Sequence, residues 1–146
     1  MEVEGTSLEG LKIIKPEVHE DSRGFFLESY NKKDLMNALG KDLLFVQDNH
    51  TKSAKGVLRG LHFQIKNPQG KLIRALRGEI FDVVVDLRKD SKTFGNWHSL
   101  ILSDNNKKQL WVPPGFAHGF LVISDSAEVA YKTTDYWYPK YEKTLI

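Results

Sequence analysis

Turn-forming residues recur at short intervals along the whole chain, and this spacing constrains the fold more than any other feature. The turn clusters lie at 21–24, 55–56, 67–70, 77–78, 94–96, 103–106 and 113–115. The runs between them are short and rich in Val, Ile, Leu, Phe and Thr. Short β-prone runs separated in this way are typical of a β-sandwich or barrel. The chain is therefore predicted to be all-β.

The clearest strand is predicted at 79–88, where the sequence alternates in character. Because side chains alternate between the faces of a strand, one face carries Phe81, Val83, Val85 and Leu87. The other face carries Ile80, Asp82, Val84, Asp86 and Arg88. Further strands are predicted at 9–14, 43–52, 57–65, 71–77, 98–103, 108–112, 117–123 and 127–135.

One short helix is predicted near residues 32–39. Asn31 can cap its amino end, Asp34 lies at the third helical position, and Gly40 can end it. Its apolar stripe consists of Leu35, Met36 and Leu39. Beyond the last predicted strand, the aromatic segment 136–141 is too apolar to stay in solvent. It is expected to lie on the sheet or on a partner subunit.

Size and composition narrow the class of protein. At 146 residues the chain is predicted to form a single domain, 1–146, long enough to bury a core. The net charge is +2, and the Lys and Arg residues are scattered, so no nucleic-acid partner is expected. No apolar run approaches the roughly 20 residues that a membrane span needs, so no membrane partner is expected either.

The absence of cysteine excludes several kinds of chemistry. A chain with no Cys has no disulfide, no zinc thiolate and no Cys nucleophile, and it agrees with a cytoplasmic location. The first ten residues are acidic and polar and do not resemble a secretory signal. A soluble cytoplasmic protein is therefore the expectation.

The segment 59–64 carries the strongest functional signal. Its sequence, Arg-Gly-Leu-His-Phe-Gln, places three polar groups in a predicted strand. Burying such groups is unfavourable unless they find partners. Alternation puts His62 and Gln64 on one face, with Leu61 and Phe63 on the other. This segment is therefore predicted to form the wall of a polar site.

A metal is the first chemistry to consider for that site. The later Pro-Gly-Phe-Ala-His at 114–118 suggests the cupin barrel, whose metal-binding members pair His-x-His and Glu with this second His. Here Gln64 stands where the second His would be, and the ammonium of Lys71 lies near the position of the Glu. His62 and His118 alone are too few for a transition metal, which needs three or four ligands. No metal and no cofactor are expected.

Without a metal, the same residues indicate acid–base chemistry. Histidine side chains ordinarily have a pKa of about 6.5, so His62 is a residue type that suits a general base at neutral pH. Lys71 could stabilise negative charge on an oxygen, and Tyr131 could return a proton from another direction. Each also has a plainer interpretation: a satisfied core or surface His, a solvated Lys, an edge Tyr. Arg59 could equally be an ordinary ion-pair partner of Asp82 or Asp86.

The chain resembles the dTDP-4-dehydrorhamnose 3,5-epimerase family of nucleotide-sugar epimerases. The similarity runs in family order through nearly the whole chain. The blocks that carry it are 21–28, 45–50, 56–64, 69–72, 82–88, 114–120 and 131–136. The resemblance implies a cupin-type jelly-roll β-sandwich, an isomerase that needs no metal, a dTDP-linked 4-keto-6-deoxyhexose as substrate, and a homodimer.

The resemblance also assigns roles to residues at matching positions. It implies that His62 is the base that removes the proton beside the keto group, that Lys71 holds the enolate, and that Tyr131 is the acid on the opposite face. The residues it places around the sugar and pyrophosphate are Gln47, Asn49, Arg59 and His118. Arg23 and Glu28 would bind the nucleotide across the dimer interface, and Glu142 matches a binding Glu. Phe26 and Tyr138 would either stack on the base or sugar or simply pack.

Members of the family continue for some 30 residues or more, through an acidic residue that pairs with the catalytic His. The chain is thus expected to be either a short member or a truncated one. Asp82, on the polar inward face of its strand, is the predicted substitute that orients His62. The reaction expected is epimerisation at C3 and C5 of dTDP-4-dehydro-6-deoxy-D-glucose, giving dTDP-4-dehydro-L-rhamnose. The alternatives are a 3-epimerase or 3,4-ketoisomerase on a related sugar, and an inactive sugar-nucleotide-binding cupin.

Overall fold

The computed structural model describes all 146 residues and is built almost wholly from β-strands. The first strands are β1 Glu2–Gly5, β2 Lys12–Lys15, β3 His19–Asp21 and β4 Gly24–Phe26, followed by helix α1 Lys32–Leu39. The central strands are β5 Gln47–Ala54, β6 Leu58–Gln64, β7 Lys71–Arg77, β8 Glu79–Asp86 and β9 Trp97–Ser103. The last are β10 Gln109–Val112, β11 Phe116–Val122, β12 Ser126–Thr133 and β13 Glu142–Thr144, with a 3₁₀ turn at Pro139–Tyr141 between β12 and β13.

The strands form two large antiparallel sheets and one hairpin. The six-stranded sheet has the order β1-β2-β10-β7-β12-β5, and the five-stranded sheet has the order β13-β6-β11-β8-β9. Strands β3 and β4 pair only with each other. Apart from the pairs β1–β2 and β8–β9, neighbours in each sheet are not consecutive along the chain, as in a jelly roll. The all-β, cupin-type jelly roll predicted from the sequence is confirmed; the single domain boundary stays a prediction.

The main core lies between the two sheets. A cluster of 15 buried residues draws on strands of both, including Ile73 of β7, Ile80 of β8 and Val129 of β12. A second cluster covers the opposite face of the six-stranded sheet, where Leu72 and Trp111 pack against Leu35 of α1. Helix α1 therefore closes the outer side of this sheet and leaves the inner side free to line a cavity.

The predicted helix is confirmed at both ends. The Asn31 side chain accepts a hydrogen bond from the backbone N–H of Asp34 at 3.1 Å. Gly40 ends the helix in the left-handed region with φ of 68°, where glycine carries no Cβ penalty. No helix in the structure has the length and apolarity to cross a membrane.

The predicted strands are mostly confirmed, and the differences have local causes. The strand predicted at 71–77 matches β7, and those at 98–103 and 108–112 differ from β9 and β10 by one residue. The strand predicted at 9–14 is shorter, because Gly10 adopts a φ of 86° and β2 starts at Lys12. Strands β1, β3, β4 and β13 were not predicted, since they are short and carry little apolar alternation.

The inner face of β8 is buried, as the alternation predicted. Ile80, Asp82, Val84 and Asp86 are all completely inaccessible to solvent. The aromatic segment after β12 lies along its own chain. The Gln64 side chain donates to the carbonyl of Tyr136 at 3.2 Å and accepts from the N–H of Tyr138 at 2.9 Å. These hydrogen bonds position the segment that leads into β13, and β13 pairs with β6.

Candidate active site

A cavity of about 380 Å³ opens between the two sheets. Strands of the six-stranded sheet line one side of it with Gln47, Asn49, Thr51, Lys71 and Tyr131. Strands of the five-stranded sheet line the other side with Arg59, His62, His118 and Glu142. The volume falls in the range of small-molecule sites. Residues far apart in sequence therefore meet here because the jelly roll lays their strands face to face.

The two histidines of the cavity are direct neighbours on adjacent strands. His118 of β11 lies opposite His62 of β6 in the antiparallel register. Their environments differ, since the His62 side chain is 40% exposed and the His118 side chain is 7% exposed. His62 thus stands at the solvent-accessible part of the cavity and His118 at its dry floor.

The predicted contact between Asp82 and His62 is not formed. Both carboxylate oxygens of Asp82 instead lie within hydrogen-bond distance of His118 Nε2, at 2.8 and 3.0 Å. The cause is register: Asp82 pairs with Phe120 on β11, close to His118, which shares its inward-facing side of the sheet. Asp82 is the inward carboxylate that the sequence indicated, but its hydrogen-bond partner is His118 and not His62.

Strand β13 supplies the neighbours of His62. Thr144 lies opposite His62 in the register, and its Oγ1 is 3.4 Å from His62 Nδ1. Glu142 Oε1 is 3.8 Å from the same nitrogen, close enough for an ion pair when the imidazole is protonated. The ring of His62 is therefore bordered by a hydroxyl and a carboxylate from the same short strand.

Burial shifts the pKa values of the two other groups in opposite directions. Desolvation lowers the pKa of the Lys71 ammonium, while the charges of Glu142 and Asp82 act against that shift. Burial raises the pKa of the Tyr131 phenol; a hydrogen bond with Asn49 opposes this and the charge of Glu142 adds to it. Lys71 Nζ lies 5.6 Å from the centre of the Tyr131 ring. The cavity thus holds an imidazole, a partly desolvated cation and a protonated phenol.

Polar groups on β5 and β6 continue the cavity toward solvent. Gln47 Nε2 donates to Asn49 Oδ1 at 2.9 Å, and Arg59 Nε donates to Ser53 Oγ at 2.8 Å. Arg59 makes no ion pair with Asp82 or Asp86, so that plainer interpretation of Arg59 is wrong. Its guanidinium retains free N–H groups that could meet an anion.

Arg23 and Glu28 lie away from this cavity. The Arg23 side chain is 88% exposed and pairs with Asp21 of its own hairpin. Glu28 accepts a hydrogen bond from Asn31 Nδ2 at 2.9 Å, beside α1. The structure of one chain therefore does not bring these two predicted binding residues to the other predicted site residues.

The aromatic candidates and Gln64 have different surroundings in the structure. Phe26 is 65% exposed on β4, and Tyr138 packs on Tyr141 with ring centres 5.9 Å apart. Gln64 stands where a metal-binding cupin has a second His. Its side chain hydrogen-bonds nearby backbone groups and donates to the Asn67 carbonyl at 2.8 Å. No three His, Asp or Glu side chains are grouped closely enough to hold a metal ion.

Sequence reasoning missed several residues that line the cavity: His50, Thr51, Gln69, Gly119, Phe120 and Trp137. Thr51 follows Gln47 and Asn49 with a period of two on β5, and this alternation was a usable signal. Its Oγ1 is the one buried side-chain polar atom without a hydrogen-bond partner. Trp137 had no comparable signal, because it lies in the irregular segment after β12.

Two glycines bring the walls of the cavity together. A Cβ built on Gly60 would lie 2.6 Å from the His118 carbonyl oxygen, and one on Gly119 would lie 2.5 Å from the Arg59 carbonyl oxygen. Gly60 also has a φ of 109°. The register of β6 and β11 shifts at this point, between His118 and Phe120. Strands β6 and β11 therefore touch backbone to backbone beside the two histidines.

The chain is similar to known enzymes over nearly its whole length. Residues 5–146 match the family model described as dTDP-4-dehydrorhamnose 3,5-epimerase. A protein of that name from Pseudomonas aeruginosa is 56% identical over 134 residues, which cover 92% of this chain and 74% of the relative.

Solved structures agree with this similarity. The dTDP-6-deoxy-D-glucose-3,5-epimerase of Legionella pneumophila, in complex with dTDP-4-keto-L-rhamnose, superposes with a TM-score of 0.96 at 51% identity, covering 99% of this chain and 77% of that one. The dTDP-4-dehydrorhamnose 3,5-epimerase of Bacillus anthracis, with TDP and pyrophosphate bound, gives 0.94 at 46% identity, covering 99% and 83%.

Proposed function

Since the chain belongs to the dTDP-4-dehydrorhamnose 3,5-epimerase family of carbohydrate isomerases, we propose that it inverts C3 and C5 of dTDP-4-dehydro-6-deoxy-D-glucose. The product is dTDP-4-dehydro-L-rhamnose, and the residues of the cavity perform the reaction without a metal. The observation that supports this best is the arrangement of His62 and Tyr131, which approach one cavity from facing sheets.

The reaction proceeds by proton transfer at carbons next to the C4 ketone. His62 takes the proton from C3, and the electrons of the C–H bond move through the new C3–C4 double bond onto the keto oxygen. Lys71 stabilises the resulting oxyanion with its positive charge. Tyr131 then gives its proton to C3 from the opposite face as the double bond returns to the ketone. The same exchange at C5 inverts the second centre, and solvent restores both side chains between the two rounds.

Burial of Tyr131 supports its role as the acid. Because its pKa is raised, the phenol is fully protonated at neutral pH and can donate. A phenol is a weak acid, and it becomes an effective donor where its conjugate base is close to a cation such as Lys71. The half-exposed His62 can pass its proton to water, as a base that works twice per turnover requires.

The nucleotide is proposed to occupy the outer part of the cavity. Arg59, with free N–H groups, suits the pyrophosphate, because a guanidinium pairs well with phosphate oxygens. Gln47, Asn49 and Glu142 offer polar contacts to the sugar. Bound dTDP-sugar in the Legionella pneumophila relative and TDP in the Bacillus anthracis relative support this class of ligand.

We infer that a homodimer completes the nucleotide site. Arg23 and Glu28 lie outside the cavity of their own chain, so they could reach a nucleotide only in the cavity of a second copy. Mixing equal amounts of inactive Arg23→Ala protein and inactive His62→Asn protein and letting the chains exchange should restore about a quarter of the activity, since half of the dimers are mixed and each has one intact site. Absence of any recovery, with mixed dimers demonstrated by mass spectrometry, would contradict the shared site. The cytoplasmic location stays a prediction.

The experiment that tests the function uses the 4-keto substrate in deuterated water, followed by NMR. Deuterium at both C3 and C5, with the L-sugar as product, supports the proposal. Label at C3 alone or movement of the ketone indicates the 3-epimerase or ketoisomerase. Binding of dTDP without any exchange indicates an inactive binding protein.

Variants of two histidines sharpen that experiment. His62→Asn should reduce exchange at both carbons by about 10³-fold or more, because the base is lost. His98 is the matched control, since it lies on β9 and contacts Ser7 far from the cavity. His98→Asn should exchange at the rate of the unmodified protein. Equal rates for all three proteins would exclude His62 as the base.

A further inference from the structure

Asp82 and His118 form a buried pair to which the proposed reaction gives no role. Asp82 has no solvent exposure, and the His118 side chain has 7%. Both oxygens of the carboxylate face one nitrogen, His118 Nε2, at 2.8 and 3.0 Å. No other hydrogen bond reaches the Asp82 side chain. The pair is therefore exclusive, and it borders the cavity through His118.

The geometry decides which nitrogen of His118 faces the cavity. A carboxylate is an acceptor only, so Nε2 carries a hydrogen and donates it to Asp82. The other nitrogen, Nδ1, has no partner in the chain. A buried polar atom without a partner is found at one place only, Thr51 Oγ1. Since Nδ1 of His118 has no partner and is not such an atom, it retains access to the cavity. Nδ1 is therefore the atom that His118 presents to a ligand.

Charge balance favours a protonated ring. A fully buried carboxylate is unfavourable unless a positive charge is close to it. The nearest candidate is His118, held by both oxygens, and the next is Lys71, on which the charge of Asp82 acts. With His118 as an imidazolium, Nδ1 also carries a hydrogen, and the side chain becomes a cationic donor at the cavity floor.

We propose that Asp82 is a positioning residue that keeps His118 protonated, with Nδ1–H directed into the cavity as a second cationic donor beside Lys71 toward the developing C4 oxyanion. This inference rests on the proposed epimerase function. Lys71 belongs to β7 of one sheet and His118 to β11 of the other, so the two donors approach from facing walls. Fixed donors in a dry site are where charge stabilisation is strongest.

The depth of the two histidines separates their roles. His62, 40% exposed, can exchange its proton with water, as a base must. His118 is shielded from water and locked by Asp82, so it suits a fixed electrostatic role and not proton shuttling. Asp82 therefore acts on the reaction through His118, without touching the substrate.

Asp82→Asn tests this proposal, and Asp86→Asn is its matched control. Both carboxylates are completely buried on the same face of β8, four residues apart. Asp86 bonds Arg88, Ser91 and Thr93 instead of a cavity residue. Asp82→Asn should lower kcat by about 10²- to 10³-fold with KM changed less than about threefold, since the lost interaction forms at the transition state. Asp86→Asn should keep kcat and lower only the melting temperature.

A double variant and a spectrum give readouts that a purely structural role would not change. Asp82→Asn combined with His118→Gln should be no slower than His118→Gln alone, because the two residues act as one unit. In the unliganded protein near neutral pH, ¹⁵N NMR should show both nitrogens of His118 protonated. In Asp82→Asn, the Nδ1 proton should be lost.

Three results would overturn the proposal. One is a neutral His118 ring in the unmodified protein, which the spectrum reports even if Asp82→Asn fails to fold. Another is a raised KM with unchanged kcat, which would assign His118 to ligand binding alone. The third is additivity in the double variant. Failure of the proposed function looks different: the unmodified protein would then exchange no proton at C3 or C5, while the spectrum of His118 would still be measurable.

Discussion

At the scale of single residues, the cavity uses burial to separate an acid from a cation. Burial disfavours the charged form of any group, so it lowers the pKa of Lys71 and raises that of Tyr131. The phenol is kept as a proton donor over a wide pH range. Burying the Lys71 ammonium lowers the stability of the folded protein. The negative charges of Glu142 and Asp82 offset part of this cost.

The lowered pKa of Lys71 predicts the alkaline limit of activity. In the proposed mechanism the active form of Lys71 is the cation, so kcat/KM should fall as pH rises through a value below the ordinary 10.5 of lysine. The raised pKa of Tyr131 keeps its phenol protonated to a higher pH than that of an ordinary tyrosine. Lys71→Arg keeps a cation and should move the limit upward, even if its kcat is lower. A limit at the same pH in both proteins would exclude Lys71 as the titrating group.

The same shift has a defined sign for stability. Between the lowered pKa and 10.5, the unfolded chain binds more protons at Lys71 than the folded chain does. The contribution of Lys71 to the free energy of unfolding therefore rises with pH in this window. Below the window its destabilising effect is fully present.

Removing the phenol should uncouple exchange from inversion. In the proposed mechanism, the His62 of a Tyr131→Phe protein can still take a proton from C3 and return deuterium to the same face. Formation of the L-sugar should fall by about 10²- to 10⁴-fold, with a smaller loss of deuterium exchange into recovered substrate. NMR of one reaction mixture measures both quantities.

Tyr30 is the matched control for this change. Burial also raises the pKa of Tyr30, but its ring packs on Phe45 at the outer side of the six-stranded sheet. Tyr30→Phe should therefore form product at the unmodified rate. If Tyr131→Phe still inverted C3 at that rate, another group would have to be the acid.

The sequence predicted the identity of the cavity residues better than their partners. The type and spacing of His62, Lys71 and Tyr131 indicated acid–base chemistry, and the fold brings all three to one cavity. The contact of Asp82 with His118 could not be predicted, because it depends on the register between β8 and β11. Both histidines lie near that carboxylate in a jelly roll, and only the positions of the strands decide between them.

At the scale of secondary-structure elements, the contact of β6 with β11 is the most demanding feature. It requires glycine twice, for different reasons. Gly60 needs both a φ of 109° and space, since its Cβ would meet backbone at 2.6 Å, whereas Gly119 needs space alone. Neither requirement can be relieved by moving a side chain.

Three alanine substitutions separate these requirements. Gly56 has a φ of 82° with open space around it, so Gly56→Ala should cost about 1 kcal/mol from conformational strain alone. Gly119→Ala adds a backbone clash and should cost more than about 3 kcal/mol, and Gly60→Ala should cost the most. Urea unfolding of the three proteins measures the order. A Gly60→Ala protein as stable as Gly56→Ala would show that β6 and β11 can separate without loss.

Elements with strong local signals were predicted well, and elements defined by pairing were not. Helix α1 was predictable from its capping residues and apolar stripe, and β7 and β9 from their composition. Strand β13 has the sequence Glu-Lys-Thr and becomes a strand only because β6 offers it an edge. Long-range pairing of this kind leaves no periodic pattern to detect.

At the scale of the whole molecule, a second buried carboxylate, Asp86, makes the stability of the fold depend on pH. Burial alone would raise the pKa of Asp86, but hydrogen bonds from Arg88, Ser91 and Thr93 outweigh it and hold that pKa far below its usual range. Arg88 also donates to the carbonyl of Glu9, near the start of the chain. This network ties β8 to the loop at 88–93 and to the segment before β2.

Asp86 should account for part of the acid sensitivity of the protein. Its folded pKa is lowered, so its contribution to stability is complete above about pH 4 and is lost as pH falls toward the folded value. Asp86→Asn should lose about 3 kcal/mol at neutral pH and show a shallower fall of the free energy of unfolding as the pH is lowered from about 4 to about 2. Urea titrations across this range measure both. Asp90, exposed on the same loop, is the control: Asp90→Asn should leave the slope unchanged.

The general architecture was predictable because many weak signals agreed, from turn spacing to the ordered family blocks. The positions of Arg23 and Glu28 relative to the cavity were less accessible. They depend on where the hairpin β3–β4, which pairs with neither large sheet, projects from the sandwich. In the proposed dimer, a second copy brings them to the cavity.

The glycine contact between β6 and β11 carries a consequence for how this protein can drift or be re-engineered. Main chain meets main chain there, so the spacing of the two imidazoles is set by atoms common to every sequence. Substitutions of core side chains should therefore lower the stability of the folded protein before they lower the rate of the proposed reaction. New substrate preferences should therefore arise from β5 and from the segment between β12 and β13, where side chains, and not backbone, define the walls.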